Sequence, residues 1–481
     1  MSKLFLFGIG GTGARVIKSL VMLMAAGVDI KASRIVPILI DPDARNGDTV
    51  RTLNLLKLYK SLHAELGNRE KGFFKTDIAT LQEVWDDKDG RLSSGFNFPF
   101  LANNETFESF VDYHNLSNAS QDLLSLLFAK QSRESTLEVG FKGNPNIGSI
   151  VLNKLTDSPE FKAFGKAFNP GDRIFIISSI FGGTGASGFP LLLKKFRSPE
   201  STYSGAGAIN NAIIGALTVK PYFGLQDNDK SAIDSNTFIT KTKAALSYYQ
   251  HNLKGLNALY YLADSINKSY NNSEGGEEQK NQAHVVELLG ALSVIDFLEY
   301  RDSELTEGRT IHHEYGLKSD AKAVKEIGFG HLGSETKNLI GQPLTQLHVL
   351  AKHYTEHLKD ASRHPYHESL ELDKKLDSEP FYRELNSFFR EHFYPWLREL
   401  HDNDRALRLY NLNSDLSLLI NGGKQIREGK VFKTAVDFTF LDGIFTNLRT
   451  SIVRDKSPRD FMEMMYQGTA KLFDENIKPL P

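Results

Sequence analysis

Glycine is concentrated at two points of this 481-residue chain, and each cluster has the spacing of a loop that can hold an anion. The first is Gly8-Ile9-Gly10-Gly11-Thr12-Gly13, and the second is Gly182-Gly183-Thr184-Gly185-Ala186-Ser187-Gly188. Glycine adopts backbone angles closed to other residues and lets amide N–H groups approach a phosphate. A helix that starts directly after such a loop adds its positive N-terminal end. Two such loops on one sheet edge, with hydroxyls from Thr184 and Ser187, suit a di- or triphosphate. No Gly-x-x-x-x-Gly-Lys-[Ser/Thr] motif occurs, so a Walker-type P-loop is excluded. Two further loops are candidates. The carboxylate of Asp41, in Ile40-Asp41-Pro42-Asp43, can hold a metal-bound water or a ribose hydroxyl, or simply brace a turn. Gly140-Phe141-Lys142-Gly143-Asn144-Pro145-Asn146-Ile147-Gly148 reads by composition as a turn-rich loop.

A different chemistry is suggested by His353-Tyr354-Thr355-Glu356-His357, which matches His-x-x-Glu-His, an inverted zinc-protease motif. Spacing of four places both histidines on one helical face, and His348, His364 and His367 lie nearby. The sequence identifies no third ligand, so the reading preferred is an ordinary surface helix and no metal. His312-His313-Glu314 reads as a solvated loop. Lys194, Lys195 and Arg197 suit the C-terminal end of a helix through its dipole. The pairs Tyr248-Tyr249 and Tyr260-Tyr261 read as packing residues, and Phe388, Phe389, Phe393, Tyr394 and Trp396 as helical core.

The elements that must position these residues follow from the apolar pattern. Leu4 to Phe7, Ile35 to Ile40, Arg173 to Ser178, Ala212 to Val219 and Leu256 to Leu262 read as buried strands. A helix from about Ala14 carries an apolar stripe of Val16, Ile17, Leu20, Val21 and Met24, so strand, helix and strand argue a parallel sheet with a right-handed crossover. Pro190 to Phe196 opens a second helix, and Lys241 to Gln250 suits a third. From about Gln282 to Tyr300 runs a helix hydrophobic on much of its circumference, hence buried. Residues from about 46 to 133 form an elaborated, polar region containing Gly95-Phe96-Asn97-Phe98-Pro99-Phe100, read as an exposed loop or a partner surface. Asn271 to Gln279 is a polar loop. After about Asp302 helical patterns dominate, at Leu344 to Leu358, Pro380 to Leu400 and Asp460 to Phe473, with one strand candidate at Val431 to Phe440. The expected division is an α/β domain over 1–302 and a mainly helical C-terminal domain over 303–481.

Composition bounds the function. The formal net charge is -2, from 57 basic and 59 acidic residues, and gives no electrostatic footprint for nucleic acid or an anionic membrane. The chain has no cysteine, which excludes disulfides, thiolate zinc sites and cysteine nucleophiles. The apolar stretch Val21 to Val28 is too short to span a bilayer, and glycines interrupt the run at the N-terminus, so a soluble, cytoplasmic protein is expected.

Taken in order, the loops resemble those of the tubulin/FtsZ superfamily over about residues 1 to 300. Gly10-Gly11-Thr12-Gly13 resembles that family's first glycine loop, Gly143-Asn144-Pro145-Asn146-Ile147-Gly148 its loop sensing the γ-phosphate, and Gly182-Gly183-Thr184-Gly185 its glycine-rich signature. Lys220-Pro221-Tyr222-Phe223 is similar to a strand end near the ribose, and the helix from Gln282 to the central helix that contacts the base. The resemblance implies a divergent bacterial tubulin-like protein that binds GTP or GDP, with Mg²⁺ as a possible companion. It also implies assembly into a homo-oligomer or filament, or with a protein partner. Phosphate would be bound at Thr184, Ala186, Ser187 and the surrounding amides, with Gly143 and Asn144 at the terminal phosphate and Pro221 near the ribose. Asn281 and His284 would face the base, or else serve as cap and core-edge groups. Three departures stand out. Gly185 is followed by Ala186-Ser187-Gly188, Arg15 stands where FtsZ has asparagines near guanine, and the Asn-x-Asp-x-x-Asp loop used for GTP hydrolysis is missing, leaving Glu335 as the nearest acidic candidate. A Rossmann-type dinucleotide enzyme using Gly8 to Gly13 and Asp41 is one alternative, although Asp41 follows the glycines by more than the usual spacing of roughly 20 residues. A nucleotide-free structural module of a bacterial assembly is the other.

Overall fold

Buried strands dictate the architecture. In the computed structural model, which describes residues 2–43, 45–85, 95–97, 105–137, 141, 144–198, 203–225, 235–264, 269–270, 276–277, 279–316, 325–426 and 436–481, six of them form one parallel sheet. They are β1 (Lys3–Ile9), β2 (Arg34–Ile40), β3 (Arg173–Ser179), β4 (Ile213–Val219), β5 (Ala258–Ala263) and β6 (Ile311–Gly316). Their order across the sheet is 2-1-3-4-5-6. Runs such as Arg-Ile-Phe-Ile-Ile-Ser-Ser in β3 are buried along their whole length, as a parallel sheet covered on both faces requires. The chain leaves β1 toward β2 on one side and returns to β3 on the other. The connections therefore diverge between β1 and β3, which is where open α/β sheets bind ligands.

Five strands appear where their apolar runs predict them. The sixth does not. Ile311-His312-His313-Glu314-Tyr315-Gly316, expected as a solvated loop, pairs in parallel with β5. His313 stacks on Tyr260 at 4.5 Å, and its Nε2 meets the Tyr300 hydroxyl at 3.1 Å. An edge strand needs no continuous apolar run, and aromatic stacking on its neighbour replaces one. The sheet consequently extends past position 302, where the helical domain was expected to begin.

The helices that position the site are α1 (Gly10–Ala25), α2 (Gly47–Leu66), α3 (Pro145–Leu152), α4 (Gly183–Phe196), α5 (Ser235–Asn252) and α6 (Val285–Glu299). The polar reading of residues 46–133 is corrected first by α2. It buries Leu55, Leu56, Tyr59, Leu62 and Leu66 on one face, and Asn46 caps it by accepting from the Asp48 and Thr49 amides. Asn97 also bridges to Leu39 on the outer edge of β2, and Phe96 is buried, so that part of the aromatic run is no exposed loop. Residues 98–100 lie outside the described residues. Helix α4 begins at Gly183 rather than at Pro190, which sits inside it. Only Ile180, Phe181 and Gly182 separate it from β3, so the helix starts as soon as the strand ends. Helix α6 is buried as its all-round hydrophobicity predicts, from Val285 to Leu298.

Beyond the sheet the chain is mainly helical, with α7 (Ser334–Lys352), α8 (Pro380–Ser387), α9 (Tyr394–His401), α10 (Phe438–Ile452) and α11 (Pro458–Leu472). Of the strand candidate at Val431 to Phe440, residues 431–435 lie outside the described residues, and Phe438 opens α10 under the Asp437 cap. Phe388, Phe389, Phe393 and Trp396 are core residues. The helical part packs on the sheet domain at α1: Trp396 Nε1 donates to Ser19 Oγ at 3.2 Å, and Phe388 meets Phe74 at 4.9 Å. Among the described residues no helix is long and apolar enough to cross a membrane.

Candidate functional site

Two helix N-termini meet at the divergence between β1 and β3. Helix α1 starts at Gly10 and α4 at Gly183, and the N-cap residues Ile9 and Gly182 make no side-chain cap bond to either. Their first amides are therefore free for an anion. Gly10 has φ of +67°, and a Cβ there would lie 3.6 Å from Thr184 Cβ and 3.9 Å from the Gly185 amide nitrogen. The two glycine loops thus lie against each other at the strand ends, a methyl group's width apart. Gly185 in turn sits against the backbone of Ser179, where a Cβ would fall 2.7 Å from the carbonyl oxygen. Glycine at 185 is required by close packing as well as by any ligand.

The third loop joins from the side. Asn144 caps α3 through its Oδ1, which accepts from the Asn146 and Ile147 amides, and Gly148 packs on Ser187 with no room for a side chain. Gly143 lies outside the described residues. The Ser187 hydroxyl donates to the Gly183 carbonyl at 2.7 Å, so it points back into its own helix, with only its lone pairs left for a ligand. A cavity of about 790 Å³ runs along the outer side of α4, lined by Asn144, Gly182, Ala186, Ser187, Lys194 and Lys241 among others. Gly10 to Gly13 and Asp41 do not line it; they lie on the β1–β2 side of the same loops.

Asp41 ends β2. Its carboxylate accepts from the Asp43 amide at 3.2 Å and from Thr49 Oγ1 at 3.1 Å. Burial, helped by the neighbouring Asp43 and Asp48 charges, pushes its pKa up to about 7. Beside it lies a polar network invisible in the sequence. Arg15 is buried and donates to Asp48 Oδ2, Glu287 Oε1 and the Tyr222 hydroxyl, each at 2.6 Å. Burial works against the Arg15 charge, but Tyr222, Glu287 and Asp48 outweigh it and hold its pKa above the ordinary value. Such a network contributes little net stability, because desolvation consumes most of the attraction, yet it fixes one arrangement of α1, α2 and α6.

Both residues expected at the base belong to this network. Asn281 donates from its amide to Asp48 Oδ1 at 3.2 Å, and its side chain approaches Asp48 Oδ2 at 3.4 Å. His284 caps α6, with Nδ1 accepting from the Val286 amide at 3.1 Å and its ring 4.9 Å from that of Tyr222. Pro221 lies two residues past the end of β4 and precedes Tyr222, so the ribose-side loop and the Arg15 network are continuous in the chain. Glu335 is exposed in the first turn of α7, where the helix dipole alone favours an acid. Sequence reasoning noted Arg15 but missed its consequence: on a helix buried nearly all round, an arginine demands buried carboxylates from elsewhere in the chain.

The fold and site define an α/β protein with a six-stranded parallel sheet and paired glycine loops at the carboxyl ends of its strands. No protein-family model and no curated protein matches the sequence. Among solved structures, the chain is similar to CetZ from Methanosaeta thermophila strain DSM 6194 at a TM-score of 0.28 and 12% identity. That match covers 64% of this chain and 57% of that one, little more than half of its length.

Proposed function

We propose that the surface where the two glycine loops meet holds the phosphates of a guanine nucleotide, GTP or GDP, in a tubulin-like protein that assembles with itself or a partner when nucleotide is bound. The observation that carries the reading is the approach of Gly10 to Thr184 and Gly185, which aims two uncapped helix N-termini at one point. A single-loop dinucleotide site would leave the second loop without a task. In this reading the amides of Gly10 to Gly13 and of Gly182 to Ala186 bind phosphate, with the Thr184 hydroxyl, and Asn144 and Gly143 flank the terminal group. In this reading Asp41, beside Asp43 at the end of β2, would hold a hydrated Mg²⁺ that accompanies the phosphates. The Arg15 network takes the place of the asparagines that meet guanine in the resembling family, and Asn281 and His284 would contact the base through its edge. Leu123, Leu126 and Leu127 are exposed on one short helix and offer a surface that assembly would cover.

Hydrolysis requires a carboxylate within hydrogen-bond reach of the attacking water. Glu335 is the candidate, acting from a second copy, and an unchanged turnover in Glu335→Gln would remove it. The nucleotide reading is tested by titration calorimetry of the full chain with GTP, GDP, ATP and NAD, and by electron microscopy with and without GTP. Binding of GTP or GDP with nucleotide-dependent assembly supports it. Binding of neither would sink it, and tight NAD binding without a response to GTP would favour a dinucleotide enzyme.

A further inference from the structure

His353 and His357 do not lie on a surface helix. They form a π-helical turn at the end of α7, closed by the Leu358 amide donating to the His353 carbonyl at 2.8 Å. Such widened turns recur at functional sites because they re-aim side chains. Here the two imidazoles converge on Asp442 of α10, 85 positions or more away in the chain. His353 Nε2 lies 2.8 Å from Asp442 Oδ1, and His357 Nε2 lies 2.7 Å from Oδ2. The three donor atoms fall within 4.8 Å of one another. His364 Nε2 approaches the same Oδ2 at 3.3 Å, and the Tyr366 hydroxyl donates to Oδ1 at 2.8 Å.

The charge around this carboxylate is unusual. Asp442 is fully buried, and its ion-pair partners among the described residues are three histidines, with no lysine or arginine. Phe438 and Phe445 wall the cluster, with ring centroids 5.9 and 5.2 Å from that of His353. Burial alone would raise the Asp442 carboxyl, but hydrogen bonds from His353, His357 and Tyr366 outweigh it and hold it below the usual range. A buried carboxylate on which imidazole nitrogens from one helical turn converge, walled by phenylalanines, places nitrogen and oxygen donors around one point.

We infer that His353, His357 and Asp442 form a three-donor binding site for Zn²⁺ that clamps the end of α7 to α10. Nitrogen donors with one carboxylate oxygen select zinc over magnesium or calcium, which prefer all-oxygen shells. Three protein donors leave the fourth position of a tetrahedral shell to water, with His364 beside it. Glu356, the base position of the protease motif, is held by Lys352 Nζ at 2.9 Å, and the donors join two helices, so the role assigned is a clamp. His357 and His364 are partly exposed and give the ion its way in, while His353 and Asp442 form the buried wall.

The test uses the untagged full chain stripped with a chelator. Titration with Zn²⁺ should load one ion per chain that survives gel filtration and raise the unfolding temperature. Co²⁺ in its place should give the intense visible absorption of a four-coordinate site. Loss of one group that only hydrogen-bonds a metal ligand weakens metal sites about 10–100-fold, so His357→Ala, which removes a ligand and is the truncation least damaging to the core, should weaken zinc at least about 100-fold. Wild-type protein that takes up no stoichiometric zinc and shows only the pale spectrum of six-coordinate cobalt overturns the proposal without reference to any variant. So does a His357→Ala protein that binds zinc as wild type does, which would place the ion elsewhere.

Discussion

The glycine loops of the sheet and the histidine–aspartate cluster of the helical part are both built for charge, but from opposite materials. The loops present backbone amides, so their chemistry depends on side chains being absent: Gly10 has a positive φ, and a Cβ on Gly185 would run into the Ser179 backbone. The cluster presents imidazole and carboxylate groups that depend on one another, with Asp442 accepting from His353, His357 and Tyr366 at once. A site made of backbone should tolerate truncation and fail on addition. A site made of buried side chains should do the reverse.

The largest effect expected is truncation at the cluster. In metal-free protein, Asp442→Ala strips His353 Nε2 and the Tyr366 hydroxyl of their short bonds and leaves them only a 3.4 Å contact with each other, each at roughly 1–3 kcal/mol, for a loss of about 4 kcal/mol in urea unfolding. A loss under about 1 kcal/mol would show that the cluster is only solvated polar surface. Addition at the loop comes next. Gly185→Val places a branched side chain against the Ser179 backbone and should cost about 3 kcal/mol, the upper end of overpacking. It should also abolish nucleotide binding, and a variant that keeps both stability and binding would break the contrast.

A third test concerns burial without a partner. His348 is fully buried beside α9, both its ring nitrogens lack a hydrogen-bond partner among the described residues, and burial lowers its pKa to about 3. Its folded pKa lies below the unfolded value near 6.5, so the unfolded chain binds the extra proton first and stability falls as pH drops below 6.5. Between pH 6.5 and 5 this residue alone should cost about 2 kcal/mol. His348→Leu should flatten that part of the stability curve, and an unchanged slope would assign the acid sensitivity elsewhere. The smallest effect is truncation at the loop. Thr184→Ala removes one hydroxyl and leaves every amide, so nucleotide affinity should fall no more than about tenfold, about 1.4 kcal/mol. A far larger drop in calorimetry would make the hydroxyl, not the backbone, the principal ligand.

How much could be read in advance follows the same division. Five strands were legible because a parallel sheet covered on both faces writes each strand as a short apolar run. The sixth strand was not, since an edge strand of Ile, His, His, Glu, Tyr and Gly carries no such run and is held by stacking on Tyr260. Helix α2 was missed because its buried face mixes Thr52 and Tyr59 with leucines, and only packing against α1 shows that face to be internal. The glycine loops were legible as loops, each being contiguous in sequence. Their approach across the β1–β3 divergence was not, because 174 positions separate Gly10 from Thr184.

The sequence by itself determined the parallel α/β sheet, the two glycine loops, the buried α6 and the helical character of the last third. These rest on local properties: apolar runs, glycine's missing side chain and helical periodicity. Only the tertiary structure decided that the Gly10 and Thr184 loops meet and that Arg15 is bound by Asp48, Glu287 and Tyr222. It also turned a histidine pair read as surface into a cluster around Asp442. The physical reason is common to all three. A buried charge or a converging pair of helix ends is defined by its partners, and those partners are brought together by packing rather than by neighbourhood in the chain.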